Sequence, residues 1–145
     1  MSPDALFEIS TRVAMLGWVA LALSPLAPRA TQIVGGLVLP VGLSLGYTAL
    51  VLVYWSRATG GFDSLANVMA LFDHPMIALA GWVHYLAFDL LVGAWQARTA
   101  RREGFPHLLL LPCLAATLMF GPAGLALFLA LRLARATVAA AARDA

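Results

Sequence analysis

The most restrictive feature of this sequence is the run from Ala30 to Trp55, which contains no charged residue. It is longer than the roughly 20 apolar residues that a helix needs to cross a bilayer. The whole 145-residue chain shares this character, since 62% of its residues are hydrophobic and 11% are charged. Soluble domains have about 45–50% apolar and about 25% charged residues. The sequence therefore predicts an integral membrane protein with too little chain for a separate soluble catalytic domain.

The charged residues and the single cysteine exclude several classes of function. The net charge is only +2, and the basic residues are distributed among several loops, so the chain lacks the clustered positive surface of a nucleic-acid-binding protein. Cys113 is the only cysteine, which excludes internal disulfides and multi-cysteine metal sites, and we predict no bound metal. All nine basic residues are arginine, a bias typical of GC-rich bacterial genes. We therefore expect a multi-pass protein of a bacterial inner membrane.

Helix-breaking residues divide the chain into four predicted membrane spans. Prolines and glycines end the apolar stretches, and arginines mark the level of the lipid headgroups. In the fourth span, Pro112 and Gly121-Pro122 are expected to kink the helix and free backbone carbonyls inside the bundle. We predict one all-α transmembrane domain over residues 1–145, an integral membrane four-helix bundle with spans near 6–27, 30–55, 75–98 and 106–131 and a short interfacial helix near 64–72 between spans two and three.

The sequence leaves orientation and association open. Four spans would place the N-terminus, the loop over residues 56–74 and the C-terminus on one side, and this arrangement divides the nine arginines five to four. The positive-inside rule then gives only a weak preference for cytoplasmic termini. Gly42 and Gly46 form a GxxxG step, which permits close helix packing either within one chain or in a homo-oligomer.

Two polar residues lie where the third span crosses the middle of the membrane. His84 is near its centre, and Asp89 follows about 7 Å further along the helix. An ionised aspartate there costs about 2.5–3.5 kcal/mol, so Asp89 must face the bundle, be paired or carry a proton. One interpretation makes Asp89 and His84 a catalytic acid and base. In the structural alternative, Asp89 bonds Tyr85 or Arg98, and His84 donates to a carbonyl freed by a proline.

Aromatic residues surround these two groups and give a candidate binding site. Flat walls of this kind suit a long, unsaturated or ring-bearing lipid, although aromatic residues in membrane spans also commonly pack without a ligand. Asp63 and Asn67 precede the third span, where they cap the short helix or close the mouth of the pocket. The candidate substrate-binding residues are Trp82, Tyr85, Phe88, Trp95, Asn67 and Asp63.

Further polar candidates lie near the ends of the predicted spans. Glu8 and Arg12 are spaced i,i+4 and are expected to form an interfacial ion pair. If Arg12 instead points to the headgroups, Glu8 becomes available for proton coupling. His107 is expected to cap the fourth span, or to interact with Arg98 or Arg102 at the end of the third.

Several long strings of unusual composition lie between residues 61 and 124. They are Gly61–Leu65, Val68–Phe72, Gly81–Leu90 with Gly93, Trp95 and Arg98, Pro106–Leu109, Pro112–Leu114 and Met119–Gly124. Together they cover about half of the chain and resemble the abscisic-acid-deficient-four, or neoxanthin synthase-like, family. The resemblance implies a small four-helix membrane protein. Chloroplast members of that family are needed to convert the epoxide violaxanthin into the allenic carotenoid neoxanthin.

The resemblance implies a chemistry that requires no cofactor. Isomerisation of an epoxide to an allene needs a proton donor to the epoxide oxygen and a base that removes a hydrogen from the polyene, with no net redox change. A carboxyl group and an imidazole in a dry site would suffice, and Asp89 and His84 are the candidates. The expected partners are the bilayer and a carotenoid, an apocarotenoid or another isoprenoid.

Two other functions fit the same residues. A binding or assembly protein would hold the carotenoid or isoprenoid between the aromatic rings without converting it. A small proton-coupled exporter would use Glu8 in the first of four short spans, although His84, Asp89 and the long loop before the third span do not fit that class.

Overall fold

The computed structural model describes residues 1–144 as helices joined by turns, with no strand in that range. The elements are α1 (Pro3–Ala22), α2 (Pro28–Ile33), a π-helical segment (Val34–Val38), α3 (Leu39–Tyr54), a 3-10 turn (Trp55–Arg57), α4 (Leu65–Phe72), α5 (Pro75–Arg102), α6 (His107–Phe120) and α7 (Pro122–Asp144). The prediction of an all-α protein is therefore confirmed. The short helix expected near 64–72 is present as α4.

Within residues 1–144, three helical segments are long and apolar enough to cross a membrane. They are Pro3–Ala22, Pro28–Arg57 and Pro75–Arg102, and they correspond to the first three predicted spans. The second segment continues through α2, the π-helical segment and α3. Proline in the first turn starts each of these three segments, where its missing N–H breaks no helical hydrogen bond. These segments indicate association with a membrane.

α5 is the central helix of the molecule. It packs against α1, α3, α4 and α6, and two hydrophobic clusters lie along its length. The cluster near its start includes Val83 and Leu86. The cluster near its end includes Leu90, which is fully buried together with Phe128 of α7. The buried side chains of α5 are therefore positioned by helices on several sides.

The chain reverses direction between α6 and α7, instead of continuing as the single kinked span predicted over 106–131. Gly121 lies between the two helices with φ +47° and ψ −99°, a conformation that is open mainly to glycine. Pro122 then begins α7. Gly124 lies directly against the backbone of Thr117, so α6 and α7 run antiparallel as a helical hairpin.

Side-chain contacts show that α7 returns to the end of α5. Arg132 donates hydrogen bonds of 2.6 and 2.5 Å to the two carboxylate oxygens of Glu103. These hydrogen bonds hold the pKa of the Glu103 carboxyl below its usual range. Arg135 lies 5.2 Å from the centre of the Phe105 ring. The part of α7 that carries Arg132 and Arg135 therefore lies beside the turn between α5 and α6.

The hairpin changes the distribution of charge that four spans would give. We call the end of the molecule formed by the turns at 23–27 and 103–106 the basic end, and the opposite end, where α1 and α5 begin, the amino end. Arg12 and Arg57 lie toward the amino end. The positive-inside rule predicts that the basic end faces the cytoplasm, because it carries Arg29, Arg98, Arg101, Arg102, Arg132 and Arg135.

Cysteine labelling in sealed membranes tests the hairpin. Ala27, Thr59 and Thr137 are exposed and report the basic end, the amino end and α7. We expect Thr137→Cys to react with an impermeant maleimide from the same side as Ala27→Cys and from the side opposite to Thr59→Cys. Labelling of Thr137→Cys from the side of Thr59→Cys would show a fourth crossing and contradict the hairpin. The unmodified chain, whose Cys113 is buried, gives the background.

Candidate functional site

A cavity of about 730 Å³ lies between α1, α4, α5 and the tip of the α6–α7 hairpin. Its volume is within the roughly 300–1,000 Å³ of small-molecule sites in proteins. We call it the apolar cavity, because most of its lining atoms belong to apolar side chains. The lining residues are Thr11, Met15, Phe72, Ala78, Gly81, Trp82, Tyr85, Leu86, Leu118 and Met119.

The short hairpin explains why this space exists. α6 has 14 residues and is therefore about 21 Å long at 1.5 Å per residue, whereas the hydrocarbon core of a bilayer is about 30 Å thick. The hairpin thus ends before it reaches the amino end, and Leu118 and Met119 at its tip line one end of the cavity. Phe72 of α4 packs against α5, where a Cβ at Gly81 would lie 2.6 Å from the Phe72 ring.

Aromatic rings form one wall of the apolar cavity. Trp82 stacks on Tyr85 with ring centroids 5.4 Å apart, and it lies 5.2 Å from Phe7. The indole N–H of Trp82 donates to Thr11 Oγ1 at 3.0 Å. This hydrogen bond fixes the indole plane against α1. Trp82 and Tyr85, both named as candidates from the sequence, therefore lie on the same cavity wall.

The Tyr85 hydroxyl connects α5 to the tip of the hairpin. It donates to the Leu118 carbonyl at 2.8 Å. In a continuous helix this carbonyl would accept the N–H of residue 122, but Pro122 has no N–H. The prediction that a proline frees a carbonyl inside the bundle is therefore confirmed at Leu118. The donor is Tyr85, not His84.

Asp89 lies one helical turn beyond Tyr85, on the same side of α5. Its side chain is buried, and Oδ2 has no hydrogen-bond partner among the described residues. The carboxyl group lies against the hairpin turn, since a Cβ at Gly121 would be 2.9 Å from Asp89 Oδ1. Arg98 does not pair with it and donates to Gln32 instead. Asp89 is also not among the described residues that line the apolar cavity. The structure places it inside the helical packing, one helical turn behind the wall that carries Tyr85.

His84 lies on a different face of α5 from Asp89. The two positions are five residues apart, which is about 140° around an α-helix at about 100° per residue. The His84 side chain is exposed, and its ring stacks on Phe88 at 4.5 Å and lies 5.3 Å from Tyr47 of α3. It is not among the described residues that line the apolar cavity. The structure therefore does not bring Asp89 and His84 together around one hollow.

The other candidate wall residues also lie outside the apolar cavity. Phe88 is 54% exposed, and the partly exposed Trp95 packs its edge on Phe128. Asn67 donates hydrogen bonds of 2.9 and 3.0 Å to Asp63, and these bonds lower the pKa of the exposed Asp63 carboxyl. Both residues stabilise the start of α4. Phe72, at the other end of that helix, is the α4 residue that lines the cavity.

The remaining polar candidates have structural contacts. Arg12 donates to Glu8 at 2.8 Å in an exposed i,i+4 ion pair, which confirms that pairing. His107 Nε2 lies 2.8 Å from the Ala22 carbonyl and so connects the start of α6 to the end of α1. Arg98 and His107 line a second cavity, at the basic end. Within the described residues, no group of three histidine, cysteine or acidic side chains is arranged to hold a metal ion.

A buried polar network holds the hairpin against α5. Gln96 and Thr117 are both fully buried, and Gln96 Nε2 donates to Thr117 Oγ1 at 3.0 Å and to the Gly124 carbonyl at 3.2 Å. The glycine at 124 lets the two hairpin helices approach at this level. The network therefore positions the hairpin tip beside Tyr85 and Asp89.

Sequence reasoning missed several residues that line the apolar cavity. Thr11 and Met15 belong to the first span, which contains no distinctive string, and Leu118 and Met119 reach the cavity only because the chain turns back at Gly121. The Gly-Pro pair at 121–122 was the available indication. Glycine followed by proline is a common sign of a turn as well as of a kink.

The comparison with protein families decides the family of this chain. The family described as ABA DEFICIENT 4-like, or ABA4-like, matches residues 5–128. The chain belongs to the ABA4-like family. No curated protein and no solved structure matches it.

The strings that carried the family resemblance converge in this ABA4-like protein. Residues 68–72 lie in α4, and residues 81–90 form the part of α5 that bears the aromatic wall and Asp89. Residues 119–124 form the tip of the hairpin and its turn. Three of the distinctive strings therefore meet around the apolar cavity and the adjacent carboxyl group, whereas His107 of the Pro106–Leu109 string lines the cavity at the basic end.

Alanine substitutions at two glycines test the packing of Asp89 against the turn. Gly121→Ala places a side chain at positive φ and against the Asp89 carboxyl group, and we expect it to destabilise the protein by about 1–3 kcal/mol. Gly42→Ala is the matched control, because a Cβ there meets nothing within 4 Å; we expect it to stabilise the helix by about 0.5–1 kcal/mol. Thermal unfolding of both variants in detergent measures the difference. Equal stability of the two variants would contradict this turn geometry.

Proposed function

We propose that this ABA4-like protein binds a carotenoid or related isoprenoid in the apolar cavity and isomerises it by acid–base chemistry. The family match and the meeting of three of the family-like strings, residues 68–72, 81–90 and 119–124, around this cavity support the proposal. The cavity has room for one end of a long isoprenoid and presents the stacked rings of Trp82 and Tyr85 to it. A flat conjugated chain or ring makes favourable contacts with such a wall.

The observation that carries the proposal is the position of Asp89. Its carboxyl group is buried between α5 and the hairpin turn, with Oδ2 lacking a hydrogen-bond partner among the described residues. Buried carboxyl groups in membrane helices are costly and commonly serve proton transfer. One helical turn away, the Tyr85 hydroxyl lies in the cavity wall. We infer that a proton passes between the buried carboxyl group and a ligand at this wall.

The proposed reaction conserves atoms and electrons. A proton is delivered to the epoxide oxygen, the adjacent C–O bond breaks, and the oxygen becomes a hydroxyl group. A base removes a hydrogen from the polyene, and the electrons of that C–H bond form the new double bond of the product. We assign both proton transfers to Asp89: its carboxyl group gives a proton to the epoxide oxygen, and the resulting carboxylate removes the hydrogen from the polyene. The Tyr85 hydroxyl orients the reacting end. A dry site strengthens both interactions, because little water competes for them.

His84 is not part of this proposed site. Its ring packs between Phe88 and Tyr47 on another face of α5. In place of the sequence-based pairing of Asp89 with His84 as acid and base, this proposal uses Asp89 alone for proton transfer and Tyr85 to orient the ligand. The four-helix bundle is likewise replaced, as a proposal for the membrane form, by three crossing segments and one hairpin.

Three variants test the assignment in a carotenoid-producing bacterial host. We expect Asp89→Asn to lower product formation by about 100-fold or more, the usual effect of removing a positioned acid or base. Tyr85→Phe is expected to reduce conversion while leaving pigment binding, and His84→Ala is expected to retain conversion. Chromatography of the extracted pigments measures all three, with the amount of membrane-inserted protein as the control. Normal conversion by Asp89→Asn, or loss of conversion in His84→Ala alone, would overturn this assignment.

A second candidate function is pigment binding without conversion. The hydrogen bonds of the wall favour it, because the Trp82 N–H already donates to Thr11 and the Tyr85 O–H already donates to Leu118. These polar groups are therefore engaged within the protein, and the wall offers mainly its ring faces to a pigment. Unchanged pigment that co-purifies with the protein, with no new product in the host, would support this function. The exporter alternative relied on Glu8 as a free carboxylate, but Glu8 pairs with Arg12 on the exposed surface of α1.

A further inference from the structure

The second cavity of the protein is a basic one. It has a volume of about 960 Å³ and lies at the basic end, between the α1–α2 turn, the end of α5 and the start of α6. None of the described residues that line it is acidic. We call it the basic cavity, and its charged or titratable lining residues are Arg29, Arg98, Arg101, Arg102 and His107.

Arg98 is held at the inner side of this cavity. Its Nη1 donates to Gln32 Oε1 at 2.8 Å, and Gln32 Nε2 donates to the Ala94 carbonyl at 3.3 Å. Gly36 leaves room for this arrangement, since a Cβ there would lie 3.2 Å from Arg98 Nη1. A neutral amide therefore orients a half-buried guanidinium group without neutralising its charge. Such a cation favours a negatively charged ligand.

The nearest acidic residue in the sequence does not neutralise the cavity. Glu103 follows Arg102 directly, but its carboxylate accepts both hydrogen bonds from Arg132 of α7. It is not among the lining residues. Within the described residues, no ion pair involves Arg29, Arg101 or Arg102. The positive charge of the cavity is therefore available to a ligand.

Apolar side chains continue the cavity away from the arginines. Ile33, Ala97 and Leu110 line it together with the ring of Phe105. A ligand that matches both parts carries an anion at one end and a hydrocarbon chain at the other. Arginine binds phosphate oxygens through paired N–H donors, and basic pockets between membrane helices on the cytoplasmic side bind phospholipid headgroups.

We propose that the basic cavity binds the phosphate group of an anionic phospholipid, with Arg98 at its inner side and Arg29, Arg101 and Arg102 around its opening. The acyl chain lies along the apolar part of the wall. This lipid site is distinct from the proposed carotenoid site, because the two cavities lie at opposite ends of α5 and share no lining residue.

Native mass spectrometry of the full chain in a neutral detergent tests the site. The probes are phosphatidylglycerol and phosphatidylcholine with identical acyl chains. We expect phosphatidylglycerol to bind at several-fold lower concentration than phosphatidylcholine. Arg101→Gln with Arg102→Gln removes two exposed cations and is expected to weaken phosphatidylglycerol binding by about tenfold or more. Arg101→Lys with Arg102→Lys is expected to restore most of the binding.

The matched control is Arg12→Gln with Arg57→Gln, which removes two cations from the amino end and is expected to leave phosphatidylglycerol binding unchanged. An equal loss in this control, or equal binding of the two lipids by the unmodified chain, would overturn the proposal. Inorganic phosphate distinguishes a lipid site from a site for the free anion. Displacement of phosphatidylglycerol by millimolar phosphate would show that the hydrocarbon chain adds nothing, and it would overturn the lipid assignment.

Discussion

The structure depends on the requirement that backbone polar groups inside a membrane find partners within the protein. A turn within the bilayer exposes such groups, and the turn at Gly121 is possible because specific side chains satisfy them. The Tyr85 hydroxyl donates to the Leu118 carbonyl, which Pro122 leaves without its helical donor. The Gln96 side chain donates to the carbonyl of Gly124. With these groups satisfied by α5, the hairpin can end inside the molecule. The apolar cavity follows from that early end.

The same helix serves two cavities of opposite character. The first half of α5 carries the stacked rings of Trp82 and Tyr85. One helical turn further along, it carries the buried Asp89, whose Oδ2 has no hydrogen-bond partner among the described residues. Near its end, it presents arginines that face a cavity without an acidic lining residue among those described. Between them, the fully buried Leu90 and Gln96 pack against neighbouring helices. α5 is therefore a continuous helix that contributes to both of the proposed binding sites.

The sequence predicted the helical class and the short helix before the third long helix, because apolar runs and helix-breaking residues are local patterns. It predicted the burial of Asp89, because an ionised carboxyl group exposed to lipid carries a large free-energy cost. It did not predict the hairpin, since Gly121-Pro122 fits a kink and a turn equally well and only contacts such as that of Arg132 with Glu103 decide between them. The structure places Asp89 and His84 on different faces of α5 for a geometric reason. Five residues along a helix turn two side chains to different faces.

The rim of the apolar cavity determines how a ligand reaches it. Met15, Phe72 and Met119 line the cavity and are 43%, 46% and 63% exposed on the outer surface of the helices. This surface faces acyl chains when the protein is in a bilayer, so we expect the proposed isoprenoid ligand to enter sideways by two-dimensional diffusion. Its occupancy then follows its mole fraction in the membrane rather than its aqueous concentration. Water-soluble analogues that do not partition into lipid are consequently poor ligands, however well they match the wall.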